Sequence, residues 1–289
     1  MKNILKSNKI KANIHTIAIL TNKAFPENIG GITNMRFIPN EKTGEIKFLS
    51  KINIKEYFNE RVINLSDYKE KLNIILEQYE IDQYNISRVD FNFDCEENNY
   101  NEMMKINKLI ILLLSLKYNI KKRYQSFEPL TYDNLTIRIQ SEYYEAENYN
   151  KEIESNSMDE AKNRFELRSK ALAKRNKSIE QLLSEWCYKL DSAMLSYVDL
   201  QNKANQCLFV LWEREKDKEV KSISEFIRKY QQNFYTVKQL VAFYKLIGAN
   251  NPTQSAYNFN SKNNIEYISI SDLKNYINVL KKSAEKFLA

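Results

Sequence analysis

The sequence predicts an α+β protein, built on an antiparallel sheet with helices and followed by a helical C-terminal region. Three observations support this class. Apolar residues make up 43% of the 289 residues, which excludes disorder by composition. Up to about residue 178, segments that alternate apolar and polar residues are interrupted by only two helical patterns. Beyond that point helical periodicity prevails.

Turn residues divide the first part of the chain into segments with the length and alternation of strands. Pro39 and Gly44 bound a turn between two of them, which predicts a β-hairpin. The predicted strands are 13–20, 32–38, 45–49, 85–94, 120–124, 134–139 and 163–170. The segment 142–154 has no clean period, so its structure stays open.

Helical periodicity marks two segments among these strands and most of the chain after them. Ser66 is a favourable N-cap for a helix that ends near Tyr79, and a second helix covers 100–118. This order hints at a duplicated β–α unit. The later elements are helices at 179–200, 223–233, 237–247 and 270–287, a last strand at 207–212 and a polar loop at 250–264.

These elements predict two regions. We expect an α+β domain in residues 1–205 and a mainly helical region in residues 206–289, whose candidate roles are DNA binding and dimerisation. The segment 237–247 could belong to a helix-turn-helix, although helix packing is the commoner use of its apolar residues.

Composition is compatible with a nucleic-acid partner, although many soluble bacterial proteins are similarly basic, and it argues against other classes. The formal net charge is +7 and the pI about 9.0, which attracts polyanions. Three cysteines without a CxxC pair and the single histidine, His15, argue against a disulfide framework and a zinc site. We recognise no signal peptide, and the most apolar stretch, 109–116, is too short to span a bilayer. The expectation is a cytoplasmic protein without membrane contact.

The strand around Asp90 is the most informative segment. Alternation puts apolar side chains on one face and Arg88, Asp90, Asn92 and Asp94 on the other. Asp and Asn are poor strand formers, so their presence points to metal binding or catalysis. The alternative is an ordinary half-exposed strand. Residues four apart on a strand are about 13 Å apart, so Asp90 pairs more naturally with Asn92 than with Asp94 in a metal site.

A later strand supplies a further carboxylate. Arg164, Glu166 and Arg168 alternate with apolar residues and share one face. If this strand lies beside the first, Glu166 stands near Asp90, and such oxygen ligands suit Mg²⁺ or Mn²⁺. The alternative is a ladder of cross-strand ion pairs between the arginines and the acids.

Tyr149 and Lys151 lie between these two strands in the chain. A tyrosine hydroxyl near a metal ion can attack a phosphate, and a lysine can stabilise the charge that develops. The chain contains 19 tyrosines, so the residue type alone is weak evidence.

In this order, the three segments resemble the Rep_trans family, the replication initiators of small rolling-circle plasmids, which are related to other plasmid and phage nickases. The family strand TRLDLAFDF is matched by SRVDFNFD at residues 87–94. The family segment RIYNKxxE is matched by YNK at 149–151 with Glu154 in register, and WRVEIEL by RFEL at 164–167. The likeness covers about residues 85–170.

The resemblance implies that Tyr149 is the nicking tyrosine and that Asp90 and Glu166 belong to the metal site, with Asp94 nearby. It also implies a duplicated fold similar to the TATA-binding protein, and a dimer at the replication origin.

The sequence departs from the family just before the tyrosine. Glu147 stands where the family has an arginine, and Arg138 is the residue that could substitute for it in contacting phosphate. Tyr143 and Tyr144 remain rival nucleophiles.

Basic residues are the expected contacts to DNA, because basic runs with interleaved aromatics suit phosphate contact and base stacking. A solvated surface is the commoner role of any one such run. The expected contacts are Lys121, Lys122, Arg123, Arg138, Arg164 and Arg168, and a further basic run is Lys170, Lys174, Arg175 and Lys177.

We therefore expect a replication initiator that nicks one DNA strand at an origin, single-stranded or cruciform, and rejoins it through a 5′-phosphotyrosine. The free 3′-OH primes synthesis, and a host helicase and a second copy of the chain are the expected partners. Two alternatives stay open: a non-catalytic DNA-binding protein, and a metal-dependent nuclease that uses water, in which Tyr149 is structural.

Overall fold

The computed structural model describes residues 10–39, 44–95, 100–118, 136–150, 163–170, 172, 177–216, 218–263, 265 and 267–289. Within them the protein is α+β, and seven strands form one antiparallel sheet in the order β2-β3-β1-β4-β7-β6-β5. The strands are β1 (Ile10–Thr21), β2 (Ile32–Pro39), β3 (Ile46–Ile52), β4 (Tyr84–Cys95), β5 (Thr136–Gln140), β6 (Tyr144–Asn150) and β7 (Asn163–Ser169).

The described residues also contain nine α-helices, none of which is long and apolar enough to cross a membrane. They are α1 (Ile54–Phe58), α2 (Leu65–Gln78), α3 (Tyr100–Lys117), α4 (Ile179–Ala193), α5 (Tyr197–Glu215), α6 (Ile223–Lys229), α7 (Val237–Leu246), α8 (Pro252–Asn263) and α9 (Ile270–Leu288).

Several sequence expectations fall on positions that the structure does not describe. These are the strand 120–124, most of the hairpin turn after Pro39, and the residues Lys121, Lys122, Arg123, Lys151, Glu154, Lys174 and Arg175. Apart from 207–212, the remaining predicted strands are confirmed, with ends that shift by at most a few residues.

Three predictions about helices need correction. Asn64, not Ser66, caps α2, because the Asn64 side chain accepts a hydrogen bond from the Asp67 backbone N–H. The predicted helix 179–200 is interrupted by a 3₁₀ turn at Met194–Ser196, and the predicted helix 223–233 ends at Lys229.

The predicted strand 207–212 and the predicted loop 250–264 are both wrong. Residues 207–212 belong to α5, from which Leu208 and Leu211, three positions apart, face the core. The strand was predicted because a short apolar run can occur in either a strand or a helix. Pro252 begins α8, where its missing N–H costs nothing, and Ala256 and Phe259 bury one side of that helix.

The apolar face of the sheet forms the main core. Val89, Phe91 and Phe93 of β4 and Phe165 and Leu167 of β7 are buried on this face. Helix α3 packs against β5, β6 and β7, whereas α9 packs against β1 at the other half of the sheet.

A second hydrophobic cluster lies in the C-terminal part of the chain. It begins at Leu208 of α5, continues through α6, α7 and α8, and ends at Ile265. The last helix, α9, belongs to the first cluster instead. The division into residues 1–205 and 206–289 remains a prediction, and this packing adds that the chain returns to the sheet at its end.

The strand order is similar in the two halves of the sheet, but α3 lies between β4 and β5 whereas the described residues between β1 and β2 contain no helix, so the duplicated β–α unit stays a prediction. β1 lies at the centre, β2 lies farther out, β3 returns beside β1, and α2 follows. β4 also lies at the centre, β5 and β6 lie farther out, β7 returns beside β4, and α4 follows. The specific likeness to the TATA-binding protein stays a prediction.

Candidate active site

The polar face of the sheet brings the predicted residues together. Residues paired across antiparallel strands point to the same face, so the strand registers place these side chains in three adjacent rows. The rows are Asp94, Arg164 and Tyr149, then Asn92, Glu166, Glu147 and Arg138, then Asp90, Arg168 and Glu145.

Tyr149 contacts one of the predicted carboxylates directly. Its hydroxyl donates a hydrogen bond of 3.0 Å to Glu166 Oε2. The other oxygen of that carboxylate accepts from Arg168 Nε at 2.5 Å. Arg164 is paired in register with Tyr149, so the tyrosine stands between a carboxylate and a guanidinium.

The other acids are also matched by cations. Arg88 donates from Nε and Nη2 to the two oxygens of Asp90 at 2.6 and 2.5 Å, and Arg164 holds Asp94 in the same two-point manner at 2.6 and 2.7 Å. Glu145 is paired with both Arg168 and Arg138. The ladder of ion pairs considered from the sequence is therefore present.

Burial and charge drive the pKa values of the two central carboxylates apart. Burial raises the pKa of Asp90 to about 6, with the Arg88 hydrogen bonds acting in the opposite direction. Burial also acts to raise the pKa of Glu166, but the positive charges of Arg168 and His15 outweigh it and hold that pKa below its usual value. Glu166 is consequently ionised at neutral pH and is the weaker base of the two carboxylates, whereas Asp90 changes charge near pH 6.

The two rival tyrosines occupy different surroundings. Tyr144 points to the helix-covered face of the sheet, where its hydroxyl donates to Glu185 and its ring packs edge-on against Trp186 at 5.4 Å. Tyr143 lies exposed in the turn between β5 and β6. Of these three tyrosines, Tyr149 is the one in contact with the predicted carboxylates.

Sequence reasoning missed Glu145 and the local role of Glu147. Both alternate with Tyr149 at a spacing of two, so a strand assignment for 144–150 would have put all three on one face. Three tyrosines obscured that period. The bulge at His15, between Ile14 and Thr16 of β1, was likewise invisible in the sequence.

The expected Mg²⁺ or Mn²⁺ site does not fit the side chains as they stand. A divalent ion needs several oxygen ligands that it can approach together. Among the described residues, no three His, Cys, Asp or Glu side chains are grouped so that they could hold an ion. Arg88 already occupies both oxygens of Asp90, and Arg164 both oxygens of Asp94. A metal role for Asp90, Asp94 and Glu166 stays a prediction that requires these arginines to move.

Comparisons with known proteins found distant structural similarity. No family model matches the chain, and no curated protein matches it significantly. A solved structure of a rolling circle replication initiator protein from Geobacillus stearothermophilus is similar at 12% identity and a TM-score of 0.31, over 62% of this chain and 85% of that one. Likeness at this level transfers neither residue roles nor an activity.

Proposed function

We propose that the protein is a replication initiator that cuts and rejoins one DNA strand through Tyr149. The observation that carries the proposal is the hydrogen bond of 3.0 Å from the Tyr149 hydroxyl to Glu166, beside Arg164. A nucleophile, a carboxylate that can receive its proton and a guanidinium that suits phosphate are the groups that phosphoryl transfer to a side chain needs.

In the proposed reaction the phosphoryl group moves from the 3′ oxygen of one nucleotide to the Tyr149 oxygen. The Tyr149 hydroxyl passes its proton to Glu166 as its oxygen attacks phosphorus, and the bond from phosphorus to the 3′ oxygen breaks. The 3′ oxygen leaves with a proton from solvent, and the 5′ phosphate stays on the tyrosine. Attack by a 3′-OH reverses these steps, with no nucleotide cofactor, because the phosphotyrosine bond keeps the energy of the phosphodiester.

Cationic side chains of the same face are the proposed phosphate contacts. Arg164 is nearest to Tyr149 in register, Arg138 lies in the next row, and Arg168 lies in the row after that. The use of a divalent ion, the origin sequence, the dimer, the host helicase and the cytoplasmic location all remain predictions.

The test is a denaturing gel of the protein with labelled single-stranded DNA from its own replicon, with Mn²⁺ present. We expect a covalent protein–DNA adduct that Tyr149→Phe abolishes and that Tyr144→Phe, on the other face of the sheet, retains. Mass spectrometry of the digested adduct should find the nucleotide on Tyr149. An adduct that survives Tyr149→Phe would move the nucleophile elsewhere, and cleavage without an adduct would favour a hydrolytic nuclease.

A non-catalytic DNA-binding protein is the second candidate, and two observations favour it. Asp90 and Asp94 are each held at two points by an arginine, an arrangement that stabilises a sheet without any reaction. Tyr149 is also buried, with 7% of its surface exposed. Binding of DNA without cleavage by the wild-type protein would support this reading.

A further inference from the structure

The edge of β1 near its start is not covered by a strand. In the described residues, β3 pairs only with Ile17–Thr21 of β1, which leaves the part before it without a strand on that side. Helix α9 takes this place: the Ala12 backbone N–H donates to Ser283 Oγ at 2.7 Å, and that hydroxyl donates to the Ile10 carbonyl at 2.9 Å. A helix cannot follow a strand edge as closely as another strand does, so space remains beside it.

That space is a cavity of about 340 Å³. It lies between β1, the segment 53–63 and α9, and it reaches the polar face of the sheet at Asn92 and Arg164. Its volume falls in the range of small-molecule sites, about 300–1,000 Å³. Apolar side chains from Ile10, Val62 and Phe287 form part of its lining.

The cavity contains a buried acceptor that lacks a partner. Asn92 is 2% exposed and lines the cavity, and its Oδ1 atom has no hydrogen-bond partner in the described part of the chain. Leaving such an acceptor unsatisfied destabilises the folded state, so native proteins rarely do so without a reason. A ligand that donates an N–H into the cavity would satisfy it.

The charge around the cavity selects for an anion. Its lining includes five cationic side chains, Lys11, Lys55, Arg61, Arg164 and Lys286, against one carboxylate, Asp94. Lys55, Arg61 and Lys286 are exposed and form the outer rim. An inorganic anion would match the rim but would supply neither the N–H donor nor a body for the apolar wall. A nucleotide supplies the negative charge through its phosphate, the N–H donor through the edge of its base, and the apolar surface through the flat face of the base.

We propose that this cavity holds one unpaired nucleotide of single-stranded DNA beside the row that contains Tyr149. The proposal rests on the function proposed above for its choice of DNA as the source of the nucleotide. Arg164 links the two places, because it lines the cavity and is paired in register with Tyr149. The base enters between β1 and α9, its N–H faces Asn92, and the backbone phosphates lie on the cationic rim.

The cationic rim is tested in a Tyr149→Phe background, where DNA binding is measured without nicking. Failure of the nucleotide site can therefore be distinguished from failure of the proposed nicking activity. The probe is a short labelled single-stranded oligonucleotide, and its anisotropy is followed over a range of KCl concentrations. Arg61→Ala with Lys286→Ala should weaken binding and reduce the slope of log affinity against log salt by about 1.4, for two lost phosphate contacts. The matched control is Lys262→Ala with Lys274→Ala, two exposed lysines away from the cavity, which should leave the slope unchanged. Equal slopes for both double variants would overturn the proposal.

The interior is tested by moving an abasic position along the same oligonucleotide. One position should lose about 5- to 150-fold in affinity, the range of a single bound base. Asn92→Leu should abolish this position dependence, with its melting temperature recorded to verify folding; if it does not fold, the scan on Tyr149→Phe alone decides. A loss that is the same at every position would overturn the proposal. Competition by a deoxynucleoside monophosphate as strong as that by the oligonucleotide would overturn the assignment to DNA.

Discussion

The Asp90 side chain is buried, although the alternation of its strand predicts a half-exposed position, and this burial changes its pKa. Its strand carries apolar residues on one face and polar residues on the other, yet Asp90 and Glu166 are each only 1% exposed. Both faces of β4 are therefore buried at its centre. The ion pair with Arg88 keeps the Asp90 charge tolerable, but burial still raises its pKa to about 6 from a usual value of 3.8.

This pKa predicts a pH-dependent contribution to stability. Because the pKa of Asp90 is raised in the folded state, its favourable contribution is present below about pH 4 and is lost as the pH rises through about 6. A difference of about two pKa units corresponds to about 3 kcal/mol. Asp90→Asn should remove this dependence, so the variant should gain stability relative to wild type between pH 4 and pH 7. Urea unfolding of both proteins across that range measures it, and parallel curves would contradict the assigned pKa.

Glu166 gives a second prediction, about the pH dependence of the reaction. Glu166→Gln keeps the side-chain shape and an oxygen that can accept from Tyr149, but it cannot take a proton. Strand cleavage should slow by about 10²–10⁴-fold at neutral pH and recover as the pH approaches 10, where tyrosine ionises unaided. Glu185→Gln, beside Tyr144 on the opposite face, is the control and should keep the wild-type profile. A Glu166→Gln profile parallel to wild type would make the hydrogen bond structural.

At the scale of elements, a buried polar network joins a helix to two strands and to the last helix. Asn107 of α3 donates to Asn148 of β6 at 2.7 Å and to Asn163 of β7 at 3.3 Å. The Tyr276 hydroxyl of α9 donates to Asn107 Oδ1 at 2.9 Å. One amide thus sets the position of α3 and α9 against the strand β6 that carries Tyr149.

Replacing Asn107 should be costly for that reason. Asn107→Leu leaves the Tyr276 hydroxyl and the Asn148 oxygen without this partner in a buried site, so we expect a loss of about 2–4 kcal/mol in the free energy of unfolding. Asn202→Leu, at an exposed position of α5, should change it by less than about 0.5 kcal/mol. Chemical denaturation of the two variants is the measurement. Similar small losses in both would show that the network is replaceable.

In the molecule as a whole, the segment from α5 to residue 265 forms a hydrophobic cluster apart from the sheet, and the last helix then packs on the sheet again. The second cluster is formed between α5 and residue 265, and α9 then packs on β1. Phe243 is fully buried in this second cluster, with its ring stacked on Phe226 at 5.7 Å and edge-on to Phe234 at 5.4 Å. Two hydrophobic clusters joined by a long helix can open separately.

Phe243→Ala tests whether they do. We expect a loss of about 3–5 kcal/mol in the stability of the second cluster, from the cavity left by the ring. Amide hydrogen exchange should then accelerate in α6, α7 and α8, while the sheet and α9 keep their wild-type protection. Equal acceleration in the sheet would mean that the two clusters unfold as one unit.

The extent of prediction from sequence differed between kinds of feature. The strands on either side of the site followed from alternation, and the position of Asp90, Glu166 and Tyr149 on one face follows once their strands are neighbours. The run 207–212 and the segment 250–264 were misassigned, because short apolar runs and polar helices carry weak periodicity. The arginine partners of the acids were foreseen only as an alternative, since sequence does not decide which groups meet.

Local sequence patterns predicted the α+β class, most strands and helices and the face on which each polar residue of β4 and β7 lies, because alternation and helical periodicity act within a few residues. The complete fold was needed to show that β6 lies beside β7, so that Tyr149 contacts Glu166, and that α9 returns to β1 and leaves a cavity at Asn92. Pairing of distant strands and the return of a terminal helix depend on burial summed over the whole chain, a quantity that no local pattern contains.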